Sequence, residues 1–227
     1  MSRKSILGLI PARGGSKGIH QKNLHLFNKK PLIQWTIEAA LESNLLDKII
    51  VSTDDIAIAN FSKGLGVDVP FLREKSLAKD ESLIMDTILN LIEKLEYFDD
   101  LLLLQPTSPL RTKVDIVNII KMKEENKTES LVSVCEVREN PALFYNLNKD
   151  NFLSKSFKNL KGTNRQVFKK YYLLNGALYL SSIEHLKKYK SFISDKTMAY
   201  IMPVERSIDI DHQIDINWGE FLIKNKK

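Results

Sequence analysis

The sequence predicts an α/β fold: a doubly wound, mostly parallel sheet carrying a small inserted lobe. Three observations predict it. Short runs rich in Ile, Leu and Val at 6–11, 48–52 and 101–105 read as buried strands. Between them, apolar residues recur at helical spacing, as in Leu32, Ile33, Trp35, Ile37, Ala40 and Leu41. Turn-forming residues follow each strand at its carboxyl end. Strands alternating with helices specify parallel pairing through right-handed crossovers, and 227 residues suffice for one core with an appended lobe.

In chain order, Ile6–Pro11 runs straight into a glycine cluster, as a buried strand does before a ligand loop. Pro31 suits the first position of the helix that follows. Lys48–Ser52 is the second strand, and Thr53 or Asp54 is placed to cap a helix leading to Gly64 and Gly66. A short strand is expected at Val67–Val69. Ser82–Leu95 is helical, with Ile84, Ile88, Leu91, Ile92 and Leu95 on one face, and Leu101–Gln105 is a strand buried on both faces.

From Ser130 the rhythm changes. Leu131–Val137 is a strand with no regular helix after it, and the polar, aromatic stretch 140–170 reads as the inserted lobe, bounded at about 138–172 within a single domain over 1–227. Leu173–Leu180 restores a strand, and Ile183–Tyr189 and Ile214–Ile223 are helices. Sheets of this class bind ligands beyond the carboxyl ends of their strands, where the Arg13 loop, the Thr53 turn and the Gln105 turn fall.

Composition removes several classes of function. Leu101–Leu104 is the longest apolar run, far below the roughly 20 residues of a membrane span, and Ser5–Ile10 is too short for a signal sequence. No membrane role and a cytoplasmic location are therefore expected. Cys135 is the only cysteine, which excludes an internal disulfide and a thiolate metal cage. The net charge of +6 is spread along the chain without a basic arm, so no nucleic-acid partner is expected and the lysines suit a polyanionic small molecule.

The sharpest motif is Pro11-Ala12-Arg13-Gly14-Gly15-Ser16-Lys17-Gly18, followed by Lys22-Asn23. Glycines let backbone N–H groups approach an anion, and Arg13, Lys17 and Lys22 offset phosphate charge. It departs from the Walker pattern Gly-x-x-x-x-Gly-Lys-Ser/Thr, and a dinucleotide fingerprint needs glycine where Arg13 stands. A second motif, Ser207-Ile208-Asp209-Ile210-Asp211, alternates so that an extended chain sends Asp209 and Asp211 to one side and both isoleucines to the core. Paired carboxylates are stabilised by a hard cation such as Mg²⁺, which takes one or two carboxylates plus phosphate oxygens; the alternative is one helix cap and one exposed aspartate. Asp55, Asp99 and Asp100 read as cap or turn residues, and His20, His25, His185 and His212 as surface or loop residues.

Taken with Ser52-Thr53-Asp54, Gln105-Pro-Thr-Ser-Pro-Leu-Arg111 and Asn175-Gly-Ala-Leu-Tyr179, these motifs resemble, in order and over nearly the whole chain, the CMP-sialic acid synthetases, also called N-acylneuraminate cytidylyltransferases. The resemblance implies a nucleotidyltransferase fold of Rossmann-like type and transfer of CMP from CTP to the anomeric 2-hydroxyl of a sialic-acid-type nonulosonic acid. It implies that Arg13, Ser16 and Lys22 hold the triphosphate with Ala12, Gly14 and Gly15, that Asn23 holds the ribose, and that Arg73 reaches the cytosine with Ser82 close by. Gln105, Arg165, Gln166, Asn175 and Tyr179 would bind the sugar. Asp209 and Asp211 would hold magnesium, or manganese in its stead, with Arg13, Lys22 and Asp211 carrying catalysis. A homodimer completed through the lobe is expected, in keeping with Phe144, Tyr145, Phe152 and Phe157.

The lobe departs from the family pattern. Glu139–Tyr145 lacks a lysine that some members carry after the proline, and Leu173-Leu174 replaces a polar pair. Legionaminic, pseudaminic and 3-deoxy-manno-octulosonic acids stay open beside N-acetylneuraminic acid. A non-catalytic nucleotide sensor or RNA-binding module is the rival from another class.

Overall fold

Ile6–Pro11 forms β1, buried almost throughout, and the sheet is built outward from it. The structure is a computed structural model and describes residues 3–16, 18–74, 84–95, 97–157 and 170–225. The elements are β1, α1 (Leu32–Ser43), β2 (Lys48–Ser52), α2 (Ile56–Gly64), α3 (Ile84–Lys94), β3 (Asp100–Leu103), α4 (Lys113–Asn126), β4 (Ser130–Glu136), the hairpin strands β5 (Tyr145–Leu147) and β6 (Leu153–Lys155), β7 (Tyr172–Ser182), α5 (Ile183–Tyr189), β8 (Met198–Ile201) and α6 (Gln213–Lys224). Among the described residues one six-stranded sheet has the order β8-β4-β7-β3-β1-β2.

The expected α/β class holds, with one strand reversed. β1 pairs in parallel with β2 and β3, and β8 with β4, but β7 enters the centre of the sheet antiparallel to both β3 and β4. Its direction sets the site: the amino-terminal half of β7 lies at the same edge as the carboxyl ends of β1 and β3. The core forms two layers because successive side chains of a strand face opposite ways. Leu102 and Leu104 pack with Ile33, Ile37, Ile58, Ile116 and Ile120 on the side of α1, α2 and α4. Leu101 and Leu103 pack with Ile88, Leu91 and Leu186 on the side of α3 and α5. An uninterrupted apolar run was the signal for that double burial.

Several local expectations are corrected. Pro31 is the N-cap of α1 rather than its first helical residue. Neither Thr53 nor Asp54 caps α2: Asp55 does, accepting from the N–H groups of Ala57 and Ile58 at 2.7 and 3.1 Å. Thr53 instead accepts from the Asp55 N–H, and Asp54 turns to Gly14. Val67–Val69 contributes a single bridge, Asp68 to Ile50. Asp100 is no turn residue; it lies buried on β3, 3.0 Å from the buried Lys123 ammonium. His185 is likewise buried, its ring 4.6 Å from that of Tyr189.

The sequence reading passes over α4 and β8. α4 carries a capping box, with the Thr112 hydroxyl accepting from the Asp115 N–H and Asp115 accepting from the Thr112 N–H at 2.9 Å. β8 is a four-residue edge strand with alternating exposure, too short to signal itself. In the lobe, β5 and β6 form an exposed hairpin.

Candidate active site

A cleft of about 600 Å³ opens at the carboxyl edge of β1 and β3 and is lined by Arg13, Gly15, Ser16, Lys22, Asn23, Arg73, Gln105, Thr107, Asp209 and Asp211, among others. Segments from both ends of the chain thus meet there.

The wall made by residues 11–23 is braced largely by its own chain. Ala12 is buried and donates its N–H to Ser52 O at 2.9 Å; the Gly14 N–H donates to Asp54 Oδ1 at 2.9 Å. The Ser16 hydroxyl donates to the Ile19 carbonyl and accepts from the Lys22 N–H. Asn23 is 7 % exposed and its amide donates to Arg13 O at 2.9 Å, so it holds the loop closed behind the arginine. Arg73 lines the same wall, its Nε donating to the Ser52 hydroxyl at 3.2 Å and a terminal nitrogen to the Ser52 carbonyl. Burial lowers the Arg73 pKa; Asp54 opposes that fall and the nearby Arg13 charge adds to it. Two guanidinium groups within one another's field, facing an open glycine loop, suit a polyanion.

The opposite wall is assembled from distant segments. The Ile210 N–H donates to Thr107 O at 2.8 Å, which pins the acidic segment to the turn after β3. Ile210 is fully buried and Ile208 packs against the same cluster, with Phe27, Leu32 and Ile216, as the alternation predicted. Lys22 reaches across, donating to Ile210 O at 3.0 Å and to Asp211 Oδ1 at 2.9 Å. At Gly18 any side chain would run into the Asp211 carbonyl, so the loop and the acidic segment touch backbone to backbone.

Asp209 is solvent-accessible yet surrounded by the cleft walls. Its carboxyl is held above the usual range, first by that partial burial; Thr107 hydrogen bonding opposes the rise, the Asp211 charge adds to it, and Lys22 lowers it. Among the described residues no group of three or more His, Cys, Asp or Glu side chains forms a metal cluster. Two carboxylates that repel each other, one of them already neutralised by a lysine, are nevertheless the hard-oxygen donor set of a cation that takes its remaining ligands from phosphate and water.

Other residues named from sequence fall elsewhere. Ala12 and Gly14 brace the loop from behind rather than line the cleft. Asn175 is 4 % exposed, and its amide is spent inside the fold: Nδ2 donates to Ser207 Oγ at 2.9 Å, while Oδ1 accepts from Ser133 Oγ at 2.5 Å and from the Ala177 N–H. It positions the acidic segment instead of offering hydrogen bonds to a ligand. Tyr179 pairs with Leu103 and packs in the α3–α5 layer, its ring 5.4 Å from that of Phe192; burial raises its pKa and the charge of Asp209 adds to the rise, so it stays within reach of the acidic wall's field. Ser82, Arg165, Gln166 and Lys17 lie outside the described residues.

Sequence reasoning missed the supports of the site. Buried Asp115 accepts from Arg206 Nε at 3.1 Å and from its terminal nitrogen at 2.7 Å, immediately before the acidic segment. Burial would raise the Asp115 pKa, but Arg206 and Thr112 hold it below the usual carboxylate range. Arg111 is fully buried and donates to Gln105 O, Ala177 O and the Thr36 hydroxyl. Burial pushes its pKa down to about 9 against the pull of Asp115, which leaves it charged at neutral pH. Thr87, Ile84 and His212 also line the cleft. Only the Thr-x-x-Asp box was visible locally; the partners of Arg111 and Arg206 are remote in sequence.

Residues 7–205 match the family model described as cytidylyltransferase. The chain is 36 % identical over 219 residues to a CMP-N,N'-diacetyllegionaminic acid synthase of Legionella pneumophila, covering 92 % of each chain. It is 34 % identical over 228 residues to an N-acylneuraminate cytidylyltransferase of Escherichia coli, covering 99 % of this chain and 53 % of that one, and so spans about half the relative's length. Among solved structures it is similar in fold to a CMP:2-keto-3-deoxy-manno-octonic acid synthetase complexed with CTP, with a TM-score of 0.73 at 16 % identity over 97 % of this chain and 98 % of that one.

Proposed function

The chain belongs to the cytidylyltransferase family, and we propose that it transfers CMP from CTP to the anomeric 2-hydroxyl of a nonulosonic acid, N-acetylneuraminate or a relative. The observation that carries this reading is the meeting, in one cleft, of a glycine loop bearing Arg13 and Lys22 with the Asp209–Asp211 pair and Gln105. Similarity to a legionaminic acid synthase over 92 % of both chains supports legionaminate within that class as readily as N-acetylneuraminate.

The reaction asks for position and charge. The sugar hydroxyl oxygen forms a bond to the α-phosphorus, the bond from that phosphorus to the bridging oxygen of the β-phosphate breaks so that pyrophosphate leaves, and the hydroxyl proton passes to solvent water. Arg13 and Lys22 stabilise the charge gathering on the departing pyrophosphate. Arg73, held rigid by Ser52, lines the end of the cleft assigned to the cytosine. Gln105, its carbonyl clamped by Arg111, holds the sugar. Asp209 and Asp211 would hold Mg²⁺, which when bound supplies Lewis-acid polarisation and lowers the pKa of a coordinated hydroxyl. Lys22 donates to Asp211 Oδ1 at 2.9 Å and would be free to contact phosphate where a cation met the charge of that carboxylate. We propose also that a second copy docks on the lobe, where Phe144, Tyr145, Leu147, Phe152 and Leu153 are exposed on the hairpin and its flanks; sedimentation as a monomer at micromolar concentration would exclude it.

A pyrophosphate-release assay crossing four nucleotides with three nonulosonic acids tests the reading. Release with CTP and one of the acids, dependent on Mg²⁺, is expected. CTP binding without release for any acid would make the protein a nucleotide binder.

A further inference from the structure

The sheet has a second hollow at its other edge. β4 runs parallel to β3, because both pair antiparallel with β7, so the amino ends of β4 and of its neighbour β8 lie away from the cleft. There a cavity of about 630 Å³ is lined by Lys127, Glu129, Glu184, His185, Lys188 and Lys196, among others. That volume suits a small organic molecule rather than a bare ion. None of these residues enters the reaction proposed for the cleft.

Each lysine is carried on an anchored stretch of chain. Lys127 is the C-cap of α4, its N–H donating to the Glu124 and Lys123 carbonyls. Lys188 lies in α5, its ammonium 5.0 Å from the centroid of the Tyr189 ring. Lys196 sits in a closed turn, the Ser194 N–H donating to the Thr197 hydroxyl at 2.8 Å and the Thr197 N–H to Ser194 O at 3.0 Å. Among the described residues no salt bridge joins any of the three to a carboxylate. Glu129 is answered from within the fold: the Ser182 hydroxyl holds its pKa below the usual carboxylate range, burial opposes that fall, and the Lys123 charge adds to it. That leaves three ammonium groups in the lining against the single carboxylate of Glu184.

His185 supplies the buried part of the wall. It is 6 % exposed, and its Nε2 has no hydrogen-bond partner among the described residues. Burial lowers its pKa; Glu129 opposes that fall, and the charges of Lys188 and Lys123 add to it, so the ring is neutral at pH 7, a donor at one nitrogen and an acceptor at the other. A buried ring nitrogen left unpaired is costly, and a hydroxyl on an occupant of the cavity would relieve it. Unpaired ammonium groups favour a multiply charged oxyanion, and lysine is a common point-charge ligand of phosphate. Cations for a phosphate, a neutral imidazole for a hydroxyl and room for more than an ion together match a phosphorylated organic molecule.

We propose that this cavity is a second ligand site, separate from the cleft, for a phosphomonoester of a hydroxylated molecule. A nucleoside monophosphate and a sugar phosphate both carry that chemistry. The site stands whether or not cytidylyl transfer is the reaction of the cleft.

The histidines provide a reporter for each site, since His185 lines this cavity and His212 the cleft. Imidazole resonances of the full chain, assigned by single substitutions of His20, His25 and His212, are followed by NMR during titration with CMP, ribose 5-phosphate and inorganic phosphate. At least one ester is expected to shift the His185 signal saturably, and the tighter of the two identifies the ligand as nucleotide or sugar phosphate. Lys188→Gln combined with Lys196→Gln should weaken that response about tenfold, the scale of a lost charge-assisted contact, and leave the His212 response to CMP unchanged. A His185 signal that stays still while His212 moves would overturn the proposal, as would an undiminished response in the lysine variant. Inorganic phosphate binding as tightly as both esters would overturn it too, because the space beyond the phosphate would then serve nothing. Failure of the cytidylyltransferase reading shows elsewhere, as wild-type protein releasing no pyrophosphate from CTP with any acid.

Discussion

The two walls of the cleft are built by different means. The loop wall comes from one stretch, 11–23, whose braces are Ser16 to Ile19, Asn23 to Arg13 and Gly14 to the adjoining Asp54 turn. The acidic wall draws on 105–111, 175–177 and 206–211, joined by Asn175 to Ser207, Ile210 to Thr107, Arg111 to Ala177 and Arg206 to Asp115. The comparison teaches that the wall proposed for the triphosphate is braced nearly locally, whereas the wall proposed for metal and sugar depends on braces remote in sequence. Damage to those braces should harm the second wall selectively.

The largest effect is expected at the acidic pair. Asp211→Ala should lower turnover about 10³-fold, the scale of a lost Lewis acid worth several kcal/mol, while circular dichroism shows an intact fold; near wild-type turnover with Mg²⁺ would remove the metal assignment. Next is the remote brace. Asp115→Ala strands the Arg206 cation and should cost about 3–5 kcal/mol in urea unfolding. Because the Asp115 pKa is depressed in the folded state, its contribution is present above the ordinary carboxylate pKa and lost as pH falls through the lower folded value. The variant should therefore show a flatter acid limb than the parent, and an unchanged limb would break the link.

A smaller effect separates the walls directly. Arg13→Ala should raise the KM for CTP roughly ten- to a hundredfold, as expected for a lost charge-assisted contact, and the KM for the sugar acid much less; the reverse pattern would move Arg13 out of the phosphate wall. The smallest is a change of sign. Asp209 has a raised folded pKa, so the folded protein gives up that proton later than the unfolded chain and loses stability as pH rises through the folded value. Asp209→Asn should thus raise the melting temperature of the metal-free protein slightly at neutral pH, a change far smaller than the turnover loss expected at either aspartate and an instance of stability yielding to function. A lower melting temperature would show that the cleft does not disfavour this charge.

Sequence and structure agree best where the signal is short-range. β2 and α5 have the bounds that their apolar runs specify, and β1 the bounds of its run before the glycine cluster. The glycine loop and the acidic alternation announce themselves because glycine, cations and carboxylates at fixed spacing have few other uses. Asn175 misleads for a related reason: a motif marks residues near a site without saying which of them face it. The Asn175 amide is consumed by Ser133, Ala177 and Ser207, which leaves it nothing to offer a ligand.

By itself the sequence determined the α/β class, most of the helices and strands, the phosphate-suited loop and the paired aspartates, since each depends on periodicity or on neighbours within a few residues. Tertiary structure alone decided the reversed β7 and the Arg111 and Asp115–Arg206 braces. Those features join residues tens of positions apart. Their partners are selected by burial, where a polar group must find a hydrogen bond whatever its distance along the chain.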